Sequence, residues 1–394
     1  MSWLSNTDPA HRSFPAHGSS VVTSLLLSRG RIISASDDHS IHVYSLLSGE
    51  LLHSLEGHES GVWANAAKGD TLVSGSSDRT VRVWDLATGK CTHVFGGHTS
   101  TVRCVAIVTP EWVDVEDENG AVTKEKWPKR SVIVSGSRDH SMHVWALPQP
   151  NDEEYKSIVP EYEDEEDDVT GNPYHLLHLT GHENAVRALA AQGRVVVSGS
   201  YDNTVRVWDI VTGECKWMLT GHKKKVYSVA LDLARRQAYS GSMDDTVRIW
   251  DIQNGQCKHT LTGHTSLVGL LGLSSSHLVS ASADANICIW DPDTGELRHK
   301  LTGLLSAVTC FQHDDSKVLS GSDGVLRMWS VRDGTAVRDL LTGQMGVWQV
   351  AFNGRWCVAA SSRNDQTMLH IWDFGVDGDE MHGEETEDGN DDAK

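Results

Sequence analysis

One motif recurs along the chain and restricts its possible folds more than any other feature. Each copy reads Gly-His, then a short segment opening with Val, then Ser-Gly-Ser-x-Asp, and finally Val-x-x-Trp-Asp. Five of the seven intervals between successive copies are about 40 residues, and insertions lengthen the other two. The aromatic residue near the end of each copy is Tyr44, Trp84, Trp145, Trp208, Trp250, Trp290, Trp329 or Trp372. The chain therefore contains eight copies of one structural unit.

Within each copy, the local signals predict strands. The segment from Thr80 to Trp84 alternates apolar and polar residues and is rich in β-branched side chains, which is typical of a half-buried strand. A strand-rich unit repeating about every 40 residues is the period of a four-stranded propeller blade. We expect an all-β fold, an eight-bladed WD-repeat β-propeller with four-stranded antiparallel blades over residues 11–374.

The two ends of the repeat array predict how the ring closes. After Trp372 the chain continues as DFGVDGDE and offers no outer strand, whereas HRSFPA lies just before His17. We expect residues 11–16 to supply the missing outer strand of blade eight, since Pro15 is acceptable on a sheet edge. Closure of this kind removes open sheet edges. Residues 1–10 are then expected to form an N-terminal tail.

A histidine, a serine and an aspartate recur at fixed distances from the tryptophan, as His58, Ser74 and Asp78 do before Trp84. A single such set would suggest a catalytic triad, but a nucleophile needs one privileged site and this set occurs six times. We interpret it as a buried hydrogen-bond chain that joins the strands of each blade. No catalytic residue is expected, and the protein is not predicted to be an enzyme.

The last two copies depart from this pattern. Leu304 stands where copy seven should have histidine, and the serine-to-aspartate spacing of that copy is one residue short. In copy eight, Gln344 replaces the histidine and Gln366 replaces the aspartate. We expect these two blades to be held together mainly by packing.

Charge is concentrated in two segments. Residues 151–168 hold ten acidic residues and one lysine, residues 377–394 hold nine and one, and together they carry nearly all of the net charge of −20. We expect an acidic insertion at 148–173, a further loop insertion at 109–130 and a disordered acidic tail at 375–394. The acidic segments would repel nucleic acid and anionic membranes, so neither is an expected partner.

Several function classes are not expected. No apolar run approaches the length of a transmembrane helix, and the N-terminus does not resemble a signal peptide, so we expect a nuclear or cytoplasmic protein. The seven cysteines form no CxxC pair, which argues against a disulfide framework or a zinc site. Neither a metal nor a cofactor is predicted.

Two repeat positions outside the hydrogen-bond chain face the central channel: the residue after the Val that opens each inner strand, and the residue before the motif's aspartate. They place Arg103, Arg138 and Arg187 on adjacent blades. Guanidinium groups that share one concave rim repel each other until an anion arrives, and their planar fork suits phosphate. The bordering residues are expected to be Arg79, Tyr201, Trp63 and Trp348. This chemistry indicates a phosphopeptide reader, although the arginines could instead be solvated or paired with local acids such as Asp139.

The sequences around these positions resemble a known family. The stretches are GVW (61–63), SGSSDRT (74–80), GHTSTVRC (97–104), SGSRD (135–139), NAVRAL (184–189), SGSYD (198–202) and the atypical ending at 306–367. Over about residues 12–374 the chain is similar to the F-box/WD-repeat substrate receptors, of the cell-division-control type, of SCF ubiquitin ligases. The resemblance implies that Arg103, Arg138 and Arg187 hold the phosphate of a phosphodegron. It also implies a groove lined by Arg79, Tyr201, Trp63, Trp348 and Arg363, with Ser100 and Thr101 nearby.

Two functional hypotheses follow. The first is recognition of phosphorylated protein substrates for ubiquitin-dependent degradation. About 16 residues precede blade one, too few for the F-box that members of this family carry. SCF ligase components are therefore expected partners only if an F-box lies upstream of Met1. The second hypothesis is a general WD-repeat scaffold for protein interactions with no dependence on phosphate.

Overall fold

A computed structural model describes Trp3 and residues 8–116, 122–150, 152–157 and 171–375. Within these residues the chain forms 35 β-strands and no α-helix. Of these strands, 33 assemble into eight blades around a ring, and the other two form a separate hairpin. The predicted all-β, eight-bladed propeller with four-stranded antiparallel blades is confirmed.

The first half of the chain builds blades one to four. After β1 (Ala10–Pro15), blade one contains β2 (Val22–Ser28), β3 (Arg31–Ser36), β4 (Ile41–Ser45) and β5 (Leu51–Leu55). Blade two contains β6 (Val62–Lys68), β7 (Thr71–Ser76), β8 (Val81–Asp85) and β9 (Lys90–Phe95). There follow β10 (Val102–Val108), the hairpin strands β11 (Glu111–Glu116) and β12 (Val122–Trp127), β13 (Val132–Ser137), β14 (Met142–Ala146), β15 (Tyr155–Lys156) and β16 (His175–Leu179). Blade three is formed by β10, β13, β14 and β16. Blade four contains β17 (Val186–Gln192), β18 (Val195–Ser200), β19 (Val205–Asp209) and β20 (Cys215–Leu219).

The second half builds blades five to eight. Blade five contains β21 (Val226–Asp232), β22 (Gln237–Ser242), β23 (Val247–Asp251) and β24 (Cys257–Leu261). Blade six contains β25 (Val268–Leu273), β26 (Leu278–Ser282), β27 (Ile287–Trp290) and β28 (Leu297–Leu301). Blade seven contains β29 (Val308–His313), β30 (Lys317–Ser322), β31 (Val325–Ser330) and β32 (Ala336–Thr342). Blade eight contains β33 (Gly346–Asn353), β34 (Trp356–Arg363) and β35 (Gln366–Asp373), together with β1.

The ring closes as the sequence predicts. Strand β1 pairs antiparallel with β35, from Ala10 opposite Asp373 to Pro15 opposite Met368. Trp3, in the expected N-terminal tail, is buried: its ring centroid lies 3.8 Å from that of Phe374, and its Nε1 donates to the Gly354 carbonyl at 3.0 Å. Residues near the start of the chain are thus anchored to the last blade.

The hydrophobic core lies between neighbouring blades. One cluster joins Val73 and Val83 of blade two to Ile133 and Trp145 of blade three, and similar clusters recur around the ring. All seven cysteines are free, and Cys257 is exposed rather than in this core. Each blade therefore depends on its neighbours for burial of its apolar face.

Both insertions contain ordered strands. The first forms the β11–β12 hairpin, whose register pairs Glu111 with Trp127. This hairpin contacts blade four: Gln192 Nε2 donates to Glu111 Oε2 at 3.1 Å, and the Arg194 guanidinium lies 5.6 Å from the Trp127 ring centroid. In the second insertion, β15 pairs in parallel with β9 and adds a fifth strand to blade two. Residues 158–170 and the tail from 376 lie outside the described residues.

The buried hydrogen-bond chain is confirmed in the five regular blades. In blade two, His58 Nδ1 lies 2.7 Å from Asp78 Oδ2, His58 Nε2 lies 2.7 Å from Ser74 Oγ, and Trp84 Nε1 donates to Ser74 Oγ at 2.8 Å. Because an ionised carboxylate only accepts, His58 donates to Asp78 and accepts from Ser74. The same contacts recur with His98, His182, His222 and His264. In blade one, His17 contacts Ser34 at 2.8 Å, but the Tyr44 hydroxyl lies 3.0 Å from His42 instead.

Hydrogen bonds add to the packing that holds the last two blades together. In blade seven, Trp329 Nε1 still donates to Ser320 Oγ at 2.8 Å. In blade eight, Ser361 Oγ lies 3.1 Å from Gln344 Oε1 and 3.0 Å from His370 Nε2. Gln344 therefore replaces the missing histidine, and His370 takes the hydrogen-bonding place of the tryptophan.

The buried histidines predict loss of stability in mild acid. Burial lowers the pKa of His58, His222 and His264, and it lowers the pKa of His17 to about 4. In the unfolded chain these rings protonate near pH 6.5, so below that pH unfolding takes up protons. We expect the melting temperature to fall by about 5 °C or more between pH 6.5 and pH 4.5, as thermal unfolding monitored by circular dichroism would show.

A second loss of folding stability is expected at lower pH. Burial would raise the pKa of Asp78, but the hydrogen bonds from His58 and Thr80 hold it well below the usual range. This contribution to stability persists above about pH 4 and is lost as the pH falls further.

The variant His17→Gln tests the histidine prediction. It copies the arrangement at Gln344, and its melting temperature should vary less between pH 6.5 and 4.5 than that of the unmodified protein. A melting temperature that stays constant over this range in the unmodified protein would contradict the prediction.

Candidate functional site

A cavity of about 450 Å³ opens where blades three, four and five meet. Three arginines, one lysine and one tyrosine contribute to its wall, and the described residues that line it include no acid. The lining residues are Arg103, Arg138, His140, Asn184, Ala185, Val186, Arg187, Tyr201 and Lys225.

A β-bulge places Arg103 and Arg187 at equivalent positions. In blade three, Val102 pairs with Ser137 and Cys104 pairs with Gly136, so Arg103 is the extra residue between two ladder pairs. Arg187 is the extra residue of the same bulge in blade four. A bulge of this kind redirects a side chain out of the ladder. Each arginine is the second residue of the innermost strand of its blade, and the bulge directs its side chain into the cavity.

Turns supply the other two predicted cavity residues. The Arg138 amide donates to the Thr101 carbonyl at 2.9 Å, and the Tyr201 amide donates to the Ala185 carbonyl at 3.0 Å. These bonds tie the turn after β13 to the entry of β10, and the turn after β18 to the entry of β17. The two side chains of each blade that the sequence predicts at the site therefore lie side by side.

The aspartate nearest in sequence does not neutralise the arginines. Asp139 Oδ2 lies 2.8 Å from His98 Nδ1 and accepts from the Thr99 amide at 3.0 Å, and Asp139 Oδ1 accepts from Ser141. Across the described parts of the chain, no carboxylate lies within 4.0 Å of the guanidinium nitrogens of Arg103, Arg138 or Arg187. Within the described residues, no carboxylate therefore acts as a counterion to the three arginines that share the cavity.

The positive charges act on each other. Burial, followed by the charges of Arg187 and Arg138, lowers the pKa of Arg103 from its usual value. Arg103 is half-buried, so water screens this repulsion incompletely. A bound anion would relieve the repulsion, and an empty cavity leaves it in place.

An aromatic platform supports Arg103. Its guanidinium carbon lies 4.3 Å from the Trp63 ring centroid, within the range of a cation–π contact. Trp63 is fixed in turn, because its Nε1 donates to Ser77 Oγ at 2.7 Å, and Thr101 Oγ1 donates to the same oxygen at 3.4 Å. The Ser100 carbonyl accepts from Ser137 Oγ at 3.0 Å. Trp63, Ser100 and Thr101 thus contact the residues of the cavity wall or their sequence neighbours and help to hold them in place.

Three other predicted residues lie outside the cavity lining. Arg79 sits in the turn after β7 of blade two with a φ of 71°. Trp348, in β33, is half-buried and packs against a core cluster shared by blades eight and one. Arg363 is exposed at the end of β34. The structure therefore separates the ten predicted site residues into four that line the cavity, three that support it and three elsewhere.

Comparison with known families identifies the repeat. The family described as "WD domain, G-beta repeat" matches residues 9–45, 49–85, 89–112, 173–209, 213–251, 255–291 and 295–330, well over half of the chain. The chain belongs to the WD-repeat family.

Similar proteins extend beyond the generic WD repeat. The chain is 45% identical over 380 residues to Cell division control protein 4 of Candida albicans, which covers 94% of this chain and 54% of that protein. It is 42% identical over 382 residues to WD repeat-containing protein pop1 of Schizosaccharomyces pombe, covering 95% of this chain and 49% of that protein. Cell division control protein 4 of Saccharomyces cerevisiae is 39% identical over 392 residues, covering 93% and 48%. The chain thus spans about half the length of the curated relatives it matches.

A solved structure has a similar fold. The computationally designed Ika8 protein superposes on this WD-repeat propeller with a TM-score of 0.71 and 28% sequence identity, covering 91% of this chain and 98% of the designed one. Among the described residues, no three histidine, cysteine or acidic side chains are grouped so that they could hold a metal ion. The described part of the chain also contains no helix that is long and apolar enough to cross a membrane.

The sequence-based choice of site residues missed several members of the WD-repeat cavity. Lys225 and Ala185 precede the opening Val of their strands, and His140 follows Asp139, so they occupy repeat positions that were not considered. Tyr227 follows the opening Val of its strand, as Arg103 and Arg187 do. Its ring lies 5.1 Å from that of Tyr201 and 6.0 Å from the Arg187 guanidinium. Aligning the repeats at all positions around the opening Val would have found Lys225.

Proposed function

We propose that this propeller binds proteins phosphorylated on serine or threonine, with the phosphate held in the cavity by Arg103, Arg138 and Arg187. One observation carries the proposal: three arginines from two blades share one cavity wall, and no described carboxylate lies within ion-pair distance of them. Such an arrangement disfavours the empty state and favours a multiply charged anion. Phosphate offers the oxygen acceptors and the charge that planar guanidinium groups bind best.

Aromatic residues would bind the peptide around the phosphate. The Trp63 ring stacks against the Arg103 guanidinium, and the Tyr201–Tyr227 pair lies beside Arg187. Aromatic faces pack against the apolar residues of a peptide with little loss of conformational freedom. We therefore place the phosphorylated residue at the arginines and its neighbours against these rings.

We extend the proposal to ubiquitin-dependent degradation. The support is the resemblance to F-box/WD-repeat receptors and the similarity to two proteins named Cell division control protein 4. In this role the propeller would select phosphorylated substrates for an SCF-type ubiquitin ligase. Coprecipitation of SCF components with the full-length natural protein, and stabilisation of its bound substrates when it is removed, would test this part separately.

A direct binding experiment tests phosphate recognition. We expect a peptide carrying one phosphothreonine to bind about 100-fold more tightly than its unphosphorylated form, measured by fluorescence anisotropy. Binding should weaken strongly as sodium chloride rises from about 50 mM to about 500 mM, because exposed charges are then screened. A phosphate-independent scaffold would instead bind both peptide forms equally at every salt concentration, and that result would contradict the proposal.

A further inference from the structure

His140 lines the cavity but takes part in none of the contacts with phosphate proposed above. Its side chain is exposed and shares the cavity wall with Arg103, Arg138 and Arg187. Within the described residues, its imidazole ring forms no hydrogen bond or ion pair. The fold described here therefore leaves both ring nitrogens available to a ligand in the cavity.

A turn fixes the main chain on both sides of His140. The Asp139 amide donates to Ser137 Oγ at 3.1 Å, and the Ser141 amide donates to Asp139 Oδ1 at 2.9 Å. The Ser137 amide donates to the Ser141 carbonyl at 3.1 Å and closes the turn. His140 itself adopts the left-handed conformation, with a φ of 74°. Its side chain thus leaves a well-defined main chain two residues after Arg138.

The same turn in five other blades has a left-handed residue at this position, but the side chain varies. The position is occupied by His39 in blade one, Arg79 in blade two, Asn203 in blade four, Asp245 in blade five and Ala285 in blade six, with φ between 63° and 71°. Because asparagine and alanine adopt this conformation elsewhere in the ring, the turn does not require histidine in blade three. Either residue can replace His140 in an experiment without a new strain on the main chain.

The other charged or titratable groups of the cavity wall come from blades three, four and five. They are Arg103, Arg138, Arg187, Tyr201 and Lys225, and the described lining residues include no acid. The adjacent carboxylate of Asp139 is bound to His98 and Ser141. Histidine is the residue type in this set whose charge ordinarily changes between pH 5 and 8. A phosphate in the cavity would therefore be the group that favours the protonated ring.

We propose that His140 is a fourth ligand of the phosphate and that it couples phosphate binding to the uptake of a proton. This inference rests on the proposed function and adds its dependence on pH. The neutral ring offers one N–H donor to a phosphate oxygen, and the protonated ring adds a positive charge to this donor. Affinity for a phosphorylated ligand should therefore rise as the pH falls from about 8.5 to about 6.5. It should fall again below about pH 6, where the phosphate gains a proton and loses one of its two charges.

Titrations of a singly phosphorylated peptide between about pH 6 and about pH 8.5, at constant ionic strength, test the coupling. We expect the unmodified protein to bind about threefold to tenfold more tightly at about pH 6.5 than at about pH 8.5. His140→Asn keeps a neutral donor, so it should lose this pH dependence while its affinity at about pH 8.5 stays within about twofold. His140→Ala removes the donor as well and should bind about threefold more weakly than His140→Asn at both pH values.

A matched control and a second measurement identify the ring that takes up the proton. His39 is an exposed histidine at the same turn position of blade one, outside the cavity lining, so His39→Ala should keep the pH dependence. Calorimetric titrations at about pH 7 in two buffers of different ionisation enthalpy measure proton uptake directly. The unmodified protein and His39→Ala should take up protons on binding, and His140→Asn should not.

The outcomes distinguish this inference from the proposed function. An affinity that does not change above about pH 6.5, or the same pH dependence in His140→Asn as in the unmodified protein, would overturn the role of His140. The arginine site would remain supported in either case, provided that the phosphorylated peptide still binds more tightly than its unphosphorylated form. If the two peptide forms bind equally at every pH, the proposed function itself is contradicted.

Discussion

Replacing Arg187 with alanine is expected to weaken binding of a phosphothreonine peptide by about 30- to 100-fold. The variant would remove the charge-assisted, bidentate contact that we propose between Arg187 and the phosphate. Arg187 lines the cavity together with Arg103, and its guanidinium lies 6.0 Å from the Tyr227 ring centroid. Arg187→Lys keeps the charge but loses the planar fork, so its loss should be intermediate. Fluorescence anisotropy titrations at one fixed salt concentration would measure all three proteins.

The stability of the same variant distinguishes a ligand site from a structural one. Arg187 repels Arg103, whose pKa is lowered by burial and by this neighbour, so its removal relieves repulsion in the folded state. Arg187→Ala should therefore melt at the same temperature as the parent protein or slightly higher. Arg298→Ala, which breaks an exposed ion pair with Asp291 on blade six, serves as a control with unchanged peptide binding. A destabilised Arg187→Ala protein, or undiminished binding, would contradict the assignment of Arg187 to phosphate.

Serine-to-alanine changes in two blades are expected to differ in cost. Ser198 Oγ contacts His182 Nε2 at 2.8 Å and accepts from Trp208 Nε1 at 2.9 Å, all within a buried environment. Ser198→Ala leaves two buried polar atoms without their partner, at about 1–3 kcal/mol each, so we expect a loss of about 2–6 kcal/mol. Blade seven has Leu304 in place of the histidine, and there Ser320 accepts from Trp329. Ser320→Ala should therefore cost about half as much.

Denaturant unfolding of the two variants under identical conditions would measure the difference. Both substitutions remove one hydroxyl from a fully buried serine, so they match in size and burial. Equal shifts in the unfolding midpoint would show that the histidine contact adds nothing to the stability of a blade. The difference between the two variants therefore measures the contribution of the histidine, which Leu304 replaces in blade seven.

The sequence predicts most of this fold because its signals repeat. The tryptophan spacing, the strand patterns and the strand-like segment before His17 all indicate the same ring, and β1 pairs with β35 as expected. The same repetition aligns Arg103 with Arg187, since both follow the opening Val, and the structure explains the alignment by a shared bulge. Positional equivalence between copies carries information that a single segment lacks.

The remaining features depend on contacts that do not repeat. In blade eight, Trp372 follows Ser361 by eleven positions instead of the usual ten, so His370 rather than Trp372 meets the serine. The pairing of Tyr155 with blade two joins an insertion to a strand about 60 residues earlier. Such contacts follow from the local shape of the assembled ring, which no periodic pattern records.

The closing blade also has a consequence for biosynthesis. Among the strands of the propeller, β1 is the first to be synthesised, and its partner β35, which ends at Asp373, is the last. Until β35 has been synthesised, the nascent propeller is an incomplete arc, and the hydrogen-bonding groups at its two ends have no partner strand. Contacts between residues this far apart in sequence form slowly, so the interval before ring completion is the period when this protein is most exposed to aggregation.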